Sequence, residues 1–137
     1  MCNKKLITII LAGCWTMSYA GDPPLVSIQT IYDQASSYES HIATVQGIVS
    51  QLHIISPVQT PSYKCVVRSG QATFVIDDGT DSLVIEVLGS CLPQKTISAL
   101  PKNGDSVRVT AMIHLQNSDL PVRLRGVADS IQILDPQ

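Results

Sequence analysis

Side chains with the chemistry of an active site are sparse in this sequence, and their spacing fits no catalytic or metal-binding motif. The three histidines, His41, His53 and His114, share no metal-ligand spacing with one another or with the cysteines, whereas structural zinc needs about four converging ligands. The motifs H-E-x-x-H, C-x-x-C-H and G-x-S-x-G do not occur. No nucleophile, base and orienting group can be assembled, so we expect a protein that is not an enzyme and that holds no metal and no cofactor.

The densest group of candidate ligands is acidic, because Asp77, Asp78 and Asp81 surround Gly79. Carboxylates at this spacing could suggest calcium, but the segment lacks the twelve-residue EF-hand frame and its closing glutamate. A tight turn explains the same residues, since glycine adopts a positive φ at little cost and aspartate bonds to the amides of turns. The pattern favours the turn of a β-hairpin.

The first twenty residues show the order of features that is typical of a secretory signal peptide. Lys4 and Lys5 precede an apolar stretch over 6–17, and Ser18 and Ala20 place small residues at the positions that a signal peptidase recognises. We therefore predict a signal peptide over 1–20 and one mature domain over 21–137, located in the periplasm of a bacterium or secreted from it.

A second export signal overlaps the first. Residues 11–14, Leu-Ala-Gly-Cys, are similar to a bacterial lipobox, whose cysteine is lipidated and becomes the new N-terminus. Only residues 6–10 separate Lys5 from this box, which is short, so we favour cleavage after Ala20. A membrane-anchored lipoprotein with its lipid on Cys14 is the alternative. After signal removal we expect no transmembrane segment, because no continuous apolar run reaches the roughly 18 residues of a transmembrane helix.

Removal of the signal changes both the charge and the number of cysteines. Losing Lys4 and Lys5 moves the formal net charge from −2 to −4. A net-negative domain is a poor general partner for nucleic acid, because neutralised phosphates supply most of that affinity. The mature chain retains Cys65 and Cys91, and an even pair in an oxidising compartment suggests a disulfide.

The mature chain has the pattern of a short helix followed by strands. Ser27 is a candidate N-cap, apolar residues from Ile28 to Ala35 recur at helical spacing, and the Ser36-Ser37 pair is expected to end the helix. Gly47 predicts a bulge or sharp bend in a long first strand. Alternating apolar and polar residues predict strands over 41–55, 72–77, 82–88, 106–114 and from 122 onward, with weaker runs over 63–68 and 130–134.

These elements indicate an all-β fold, a five-stranded OB-fold-like Greek-key barrel with a short N-terminal helix and an irregular connector over 92–100. A small β-sandwich is the alternative. The turn at Gly79 places Cys65 and Cys91 on opposite arms of the central hairpin, and a bulge near Gly70 would allow the Cα separation of about 4.4–6.8 Å that a disulfide needs. Two separate buried thiols are the alternative.

Three stretches of the sequence resemble exported bacterial OB-fold domains, whose barrel is of the nucleic-acid-binding type. Residues 26–50 are similar to their opening helix and V-x-G-x-V strand, residues 74–87 to their central hairpin, and residues 101–113 to their Gly-Asp turn and fourth strand. The resemblance implies the barrel and not a ligand. Met112 departs from the pattern, since it stands near a position where many relatives have glycine.

In OB barrels the loop between the first two strands and the loop between the last two flank the binding face. The first candidates for ligand contacts are Tyr63, Lys64, Arg68 and Thr73, and the second are Arg123 and Arg125. The two arginines share one face of the last strand, which could hold an anionic ligand. A solvated face that pairs with Glu86 is the simpler interpretation.

We expect a non-catalytic, extracytoplasmic module that holds a protein, peptide or glycan partner in the cell envelope. An oligonucleotide-binding domain is the alternative. It is less favoured because single-strand binding combines a basic groove with several stacking aromatic residues. The mature chain offers only Tyr32, Tyr38, Tyr63 and Phe74, and Phe74 is expected in the core.

Overall fold

A computed structural model describes residues 23–55, 71–89, 100–117 and 120–134. Two short helices come first, α1 (Ile28–Asp33) and α2 (Ala35–Tyr38). The strands that follow are β1 (Ile42–Ile54), β2 (Ala72–Asp77), β3 (Ser82–Val87), β4 (Ser106–Asn117) and β5 (Arg123–Ile133). The predicted run over 63–68 falls outside the described residues, as does the predicted connector except for Leu100.

The strands form one closed barrel in the order β1–β2–β3–β5–β4. Every neighbouring pair is antiparallel except β3 and β5, which are parallel. Closure comes from β1, because its first part pairs with β4 from Ile42 to Ile48 and its second part pairs with β2 from Ile48 to Ile54. This architecture confirms the predicted OB-fold-like barrel and excludes the sandwich.

The barrel interior contains the apolar residues that alternate along each strand. On β2, Ala72, Phe74 and Ile76 are at most 1% exposed, while the residues between them point outward. Ile28 and Ile31 of α1 are fully buried in the same core. Complete burial of such a side chain contributes roughly 1.5–3 kcal/mol, so the helix is held mainly by these two residues.

The first strand changes partner at Ile48, next to Gly47. There it passes so close to β2 that a Cβ atom on Gly47 would stand 2.2 Å from the carbonyl oxygen of Asp77. Close approach of two backbones therefore explains the glycine. The predicted bulge lies elsewhere, between Ser50 and His53, where Gln51 has a φ of 53°.

The turn between β2 and β3 is joined to α1 through Asp78. Its Oδ2 accepts a hydrogen bond from the backbone N–H of Ile28 at 2.7 Å, and its Oδ1 accepts from the backbone N–H of Thr80 at 2.9 Å. Partial burial acts to raise the pKa of Asp78, but the hydrogen bonds, above all that from the Thr80 hydroxyl, outweigh it and lower the pKa. The predicted turn is confirmed, with Gly79 at a φ of 87°.

Two boundaries differ from the predictions. Ser27 caps α1 as expected, but α1 ends at Asp33, and the serines at 36 and 37 lie inside α2 instead of ending a helix. The last two predicted strand runs are one strand, β5, which pairs with β4 through register irregularities. Such irregularities let a long strand bend around a small barrel without a break. Neither helix described here is long and apolar enough to cross a bilayer.

Candidate binding face

Three of the predicted ligand contacts lie among the described residues, and all three are on the outer surface of the barrel. Thr73 is on β2, and Arg123 and Arg125 are on β5, at positions between the inward-facing residues of each strand. The other predicted contacts and the predicted disulfide fall outside the described residues: Tyr63, Lys64, Arg68, Cys65 and Cys91.

The strand β3 connects Thr73 with the arginines because it lies between β2 and β5. Thr73 is opposite Glu86 in the antiparallel β2–β3 pair, and Glu86 is opposite Val127 in the parallel β3–β5 pair. Arg125 is opposite Val84 in the same parallel register. Side chains on one face of neighbouring strands lie roughly 4.5–5.5 Å apart at Cβ, so these residues form one continuous surface.

Arg125 and Glu86 form an ion pair on this surface. Arg125 Nη1 donates to Glu86 Oε2 at 2.8 Å, and the side chains are 42% and 24% exposed. The Nε–H of the same guanidinium is buried and has no hydrogen-bond partner in the described part of the chain. Because this Nε–H is buried while the side chain as a whole is 42% exposed, a ligand would contact Arg125 through the terminal N–H groups of the guanidinium.

An apolar groove of about 540 Å³ lies beside this ion pair. Three of its side chains are neighbours across the sheet, since Ile42 of β1 pairs with Met112 of β4, which pairs with Val127 of β5. Ile42 is 48% exposed, Met112 38%, and Leu88 50%. We call this surface the β5 groove, and its lining residues are Ile42, Glu86, Leu88, Met112, His114, Arg125, Val127, Ala128 and Asp129.

Apart from Arg125, the residues of the β5 groove are not among the predicted contacts. A signal for the groove is nevertheless present in the strand pattern. Arg108, Thr110 and Met112 alternate on the outer face of β4, and a methionine is unexpected where its two predecessors are polar. Contiguous exposed apolar side chains on a soluble domain mark interaction sites, so the β5 groove is the leading candidate.

The β5 groove carries opposite charges at its two ends. Arg125 lies at one end with His114 beside it in the β4–β5 register, and Arg123 precedes it on the same face of β5. Asp129 lines the groove further along the strand. Glu86 is balanced by its ion pair with Arg125. Since Arg125 and Glu86 neutralise each other, the cation without an ion pair toward the start of β5 is Arg123, and the anion without an ion pair at the other end is Asp129, among the described residues.

Glu39, which follows α2, anchors the positive end of the groove. One carboxylate oxygen, Oε2, accepts a hydrogen bond from the backbone N–H of Leu115. The other, Oε1, lies 3.9 Å from Nδ1 of His114. Glu39 and Leu115 are 76 residues apart in the sequence, so no local pattern could predict this hydrogen bond.

Next to the groove, the β1–β4 pair carries polar side chains before the exposed Ile48 is reached. Thr44 pairs with Thr110, and their hydroxyl oxygens are 3.1 Å apart. Arg108 donates from Nε and Nη2 to Oε1 of Gln46 at 3.3 and 3.0 Å. These polar groups thus have hydrogen-bond partners within the sheet, unlike the exposed apolar side chains of the β5 groove.

The groove offers apolar contact, hydrogen bonding and ion pairing. Within 23–55, 71–89, 100–117 and 120–134, no three or more His, Cys, Asp or Glu side chains are grouped so that they could hold a metal ion.

Neither a protein-family model nor a curated protein matches this sequence. Solved structures do match the fold. An aspartyl-tRNA synthetase from Entamoeba histolytica aligns with 84% of this chain and 22% of its own, at a TM-score of 0.54 and 10% identity. A putative aspartyl-tRNA synthetase from Leishmania major Friedlin aligns with 86% of this chain and 22% of its own, at a TM-score of 0.54 and 12% identity. The chain thus spans about a fifth of each synthetase, and the likeness shows an OB fold alone.

Proposed function

We propose that this chain is an exported, non-catalytic binding module that holds a protein or peptide partner in the β5 groove. The observation that carries the proposal is the apolar row of exposed Ile42 and Met112 and half-buried Val127 beside the Arg125–Glu86 ion pair. Protein interfaces combine an apolar centre that includes methionine with a polar rim, and arginine is enriched in them. The β5 groove has this composition.

A protein or peptide fits the groove better than a glycan does. A glycan presents many hydroxyl groups, and each of them loses free energy when it is buried without a hydrogen-bond partner. The floor of the groove consists of Ile42, Met112 and Val127, which offer no side-chain hydrogen bonds to such hydroxyls, apart from the weak acceptor of the methionine. Aliphatic side chains of a peptide would instead bury apolar surface there.

Single-stranded nucleic acid is the competing ligand, since oligonucleotides are a usual ligand of OB folds. Binding of this kind depends on stacking aromatic residues and a basic groove. Phe74 is buried in the barrel, and Tyr32 and Tyr38 pack against the core. Arg125 is balanced by Glu86, and Asp129 would repel a phosphate backbone. These features favour the protein or peptide partner.

The test is a pull-down from an envelope extract with tagged protein of residues 21–137, in three forms. Met112→Asp places a charge on the apolar row, and the matched control Gln132→Asp places the same charge on an exposed position of the same β4–β5 sheet, outside the groove. We expect wild type and Gln132→Asp to retain the same partners and Met112→Asp to lose them, with all three melting alike by circular dichroism.

The proposal would be contradicted if Met112→Asp retained the same partner to the same extent as wild type. A titration with labelled single-stranded DNA at low salt tests the competing ligand in parallel. If DNA binding is saturable and is weakened by Arg123→Glu, the ligand of the groove is a nucleic acid and not a protein or peptide.

A further inference from the structure

We infer that the β5 groove selects an extended peptide segment with an acidic residue at one end, an apolar residue in the middle and a basic residue at the other end. This inference rests on the proposed function, because it names the chemistry of the partner at the same site. It follows from three features of the groove, its positive end, its apolar row and its negative end.

The positive end is formed by Arg123, and by Arg125, whose charge is shared with Glu86. They are two positions apart on β5, so both side chains point outward on the same face. Among the described residues Arg123 is exposed and takes part in no ion pair, so its guanidinium is open to a ligand. A carboxylate is the acceptor that suits a guanidinium best, since it can take two parallel N–H donors at once. An acidic side chain is therefore expected at this end.

The negative end is formed by Asp129, which is exposed and takes part in no ion pair within the described ranges. It follows Arg125 by four residues and lies at the register shift between Ala128 and Ser130, where the strand bends, so the separation along β5 is at most about 13 Å. A basic side chain at the far end of the ligand would lie opposite this carboxylate. The two ends together give the groove a polarity that a uniformly charged or neutral ligand would not match.

The apolar row between the two ends fixes the spacing of the ligand. An extended peptide rises about 3.3 Å per residue and points alternate side chains to the same side. A peptide that spans about 13 Å therefore has five residues, of which the first, third and fifth face the groove. Ile42, Met112 and Val127 lie under the third. The pattern that fits is acidic-x-apolar-x-basic, where x is any polar residue that faces solvent.

The experiment uses protein of residues 21–137 and three pentapeptides with blocked ends. Glu-Thr-Leu-Thr-Lys carries the full pattern, Gln-Thr-Leu-Thr-Gln lacks the charges, and Glu-Thr-Ser-Thr-Lys lacks the apolar residue. Binding is measured by titration of the methyl NMR signals of Ile42, Met112 and Val127. Ligands of this size bind weakly, so dissociation constants in the millimolar range are expected for the full pattern.

We expect the uncharged peptide to bind about fivefold more weakly than the full pattern, since each exposed ion pair contributes little. Arg123→Glu should remove this preference, while the matched control Arg108→Glu, a charge reversal on the polar part of β4, should leave it unchanged. The serine peptide should cause no shift of the three methyl groups.

Equal shifts with the charged and uncharged peptides would overturn the inference and leave the proposed function standing. Shifts confined to other parts of the barrel, or no shift with any peptide, would also overturn it. The proposed function fails on a separate result, the retention of an envelope partner by Met112→Asp.

Discussion

Replacing Gly47 with alanine should destabilise the barrel where β1 passes over the end of β2. The added Cβ would stand 2.2 Å from the carbonyl oxygen of Asp77, 2.6 Å from its carbonyl carbon and 3.0 Å from the backbone nitrogen of Asp78. All three atoms belong to the backbone, so no change of rotamer can relieve the contact. The two strands would have to separate at the point where β1 exchanges β4 for β2 as its partner.

The size of this effect can be estimated from the contact. Overpacking a tight site costs about 1–3 kcal/mol, occasionally more, and a clash with backbone belongs at the upper end. Alanine also restricts the unfolded chain, which offsets about 0.4–1 kcal/mol. We therefore expect Gly47→Ala to lower the free energy of unfolding by about 2–3 kcal/mol. This is a large fraction of the roughly 5–15 kcal/mol that stabilises a typical domain.

The assay is urea unfolding of residues 21–137, followed by far-ultraviolet circular dichroism. A shift of the midpoint without a change of slope reports stability. Gly126→Ala is the matched control, because its Cβ would meet side-chain atoms, Cδ1 of Ile85 at 3.0 Å and Cβ of Ala111 at 3.1 Å. Ile85 can adjust its side-chain torsions, and Cβ of Ala111 needs only a shift of a few tenths of an ångström together with its backbone, so a loss of about 1 kcal/mol is expected. If Gly47→Ala costs no more than Gly126→Ala, the close approach of the two backbones is not what requires glycine at position 47.

Three further predictions concern the turn, the cysteines and the leader. Asp78→Ala removes the acceptor for the Ile28 amide and should cost about 2 kcal/mol in the same urea assay. Partial burial opposes ionisation of Asp78, but its hydrogen bonds prevail and lower its pKa. The contribution of Asp78 is therefore present above its unfolded pKa and is lost as the pH falls through its folded pKa. Wild type should lose more stability than Asp78→Ala between about pH 5 and pH 2, and parallel losses would contradict this. Cys65 and Cys91 should be bridged, a link that closes a loop of about 25 residues and is worth about 3 kcal/mol. Unfolded, unreduced mature protein should then titrate no thiols, and finding both thiols free would rule the bridge out. Intact mass of protein from the envelope fraction should correspond to a chain that begins at Gly21, and a mass that includes the leader would argue against export.

The barrel was largely predictable because apolar side chains recur at every second residue along its strands. On β2 and β3, the inward positions Phe74, Ile76, Leu83 and Ile85 alternate with polar or exposed ones, and Gly79 marks the turn between them. Each of these signals is local, so it can be read from a few consecutive residues. The predicted N-cap at Ser27 was correct for the same reason.

The candidate site was predictable only in part because it depends on contacts between distant strands. The shared face of Arg123 and Arg125 follows from the period of a strand, and the sequence also suggested Glu86 as a partner. The parallel pairing of β3 with β5, which brings Glu86 to Arg125, is set by closure of the barrel. The same holds for Ile42 and Met112, which become neighbours only when β1 pairs with β4. Pairings of this kind leave no mark in a local window of sequence.

The short segment before α1 has a protective role that follows from its pairing with β1. Leu25 forms a parallel bridge with Thr44, and the N–H of Val26 donates to the Thr44 carbonyl oxygen at 2.9 Å. This contact covers the side of β1 that β2 does not reach, since β2 pairs only from Ile48 onward. An uncovered strand edge is a template for pairing with other chains. A chain shortened to begin at Ser27 would expose that edge, and we expect it to self-associate more readily than the chain that retains residues 25 and 26.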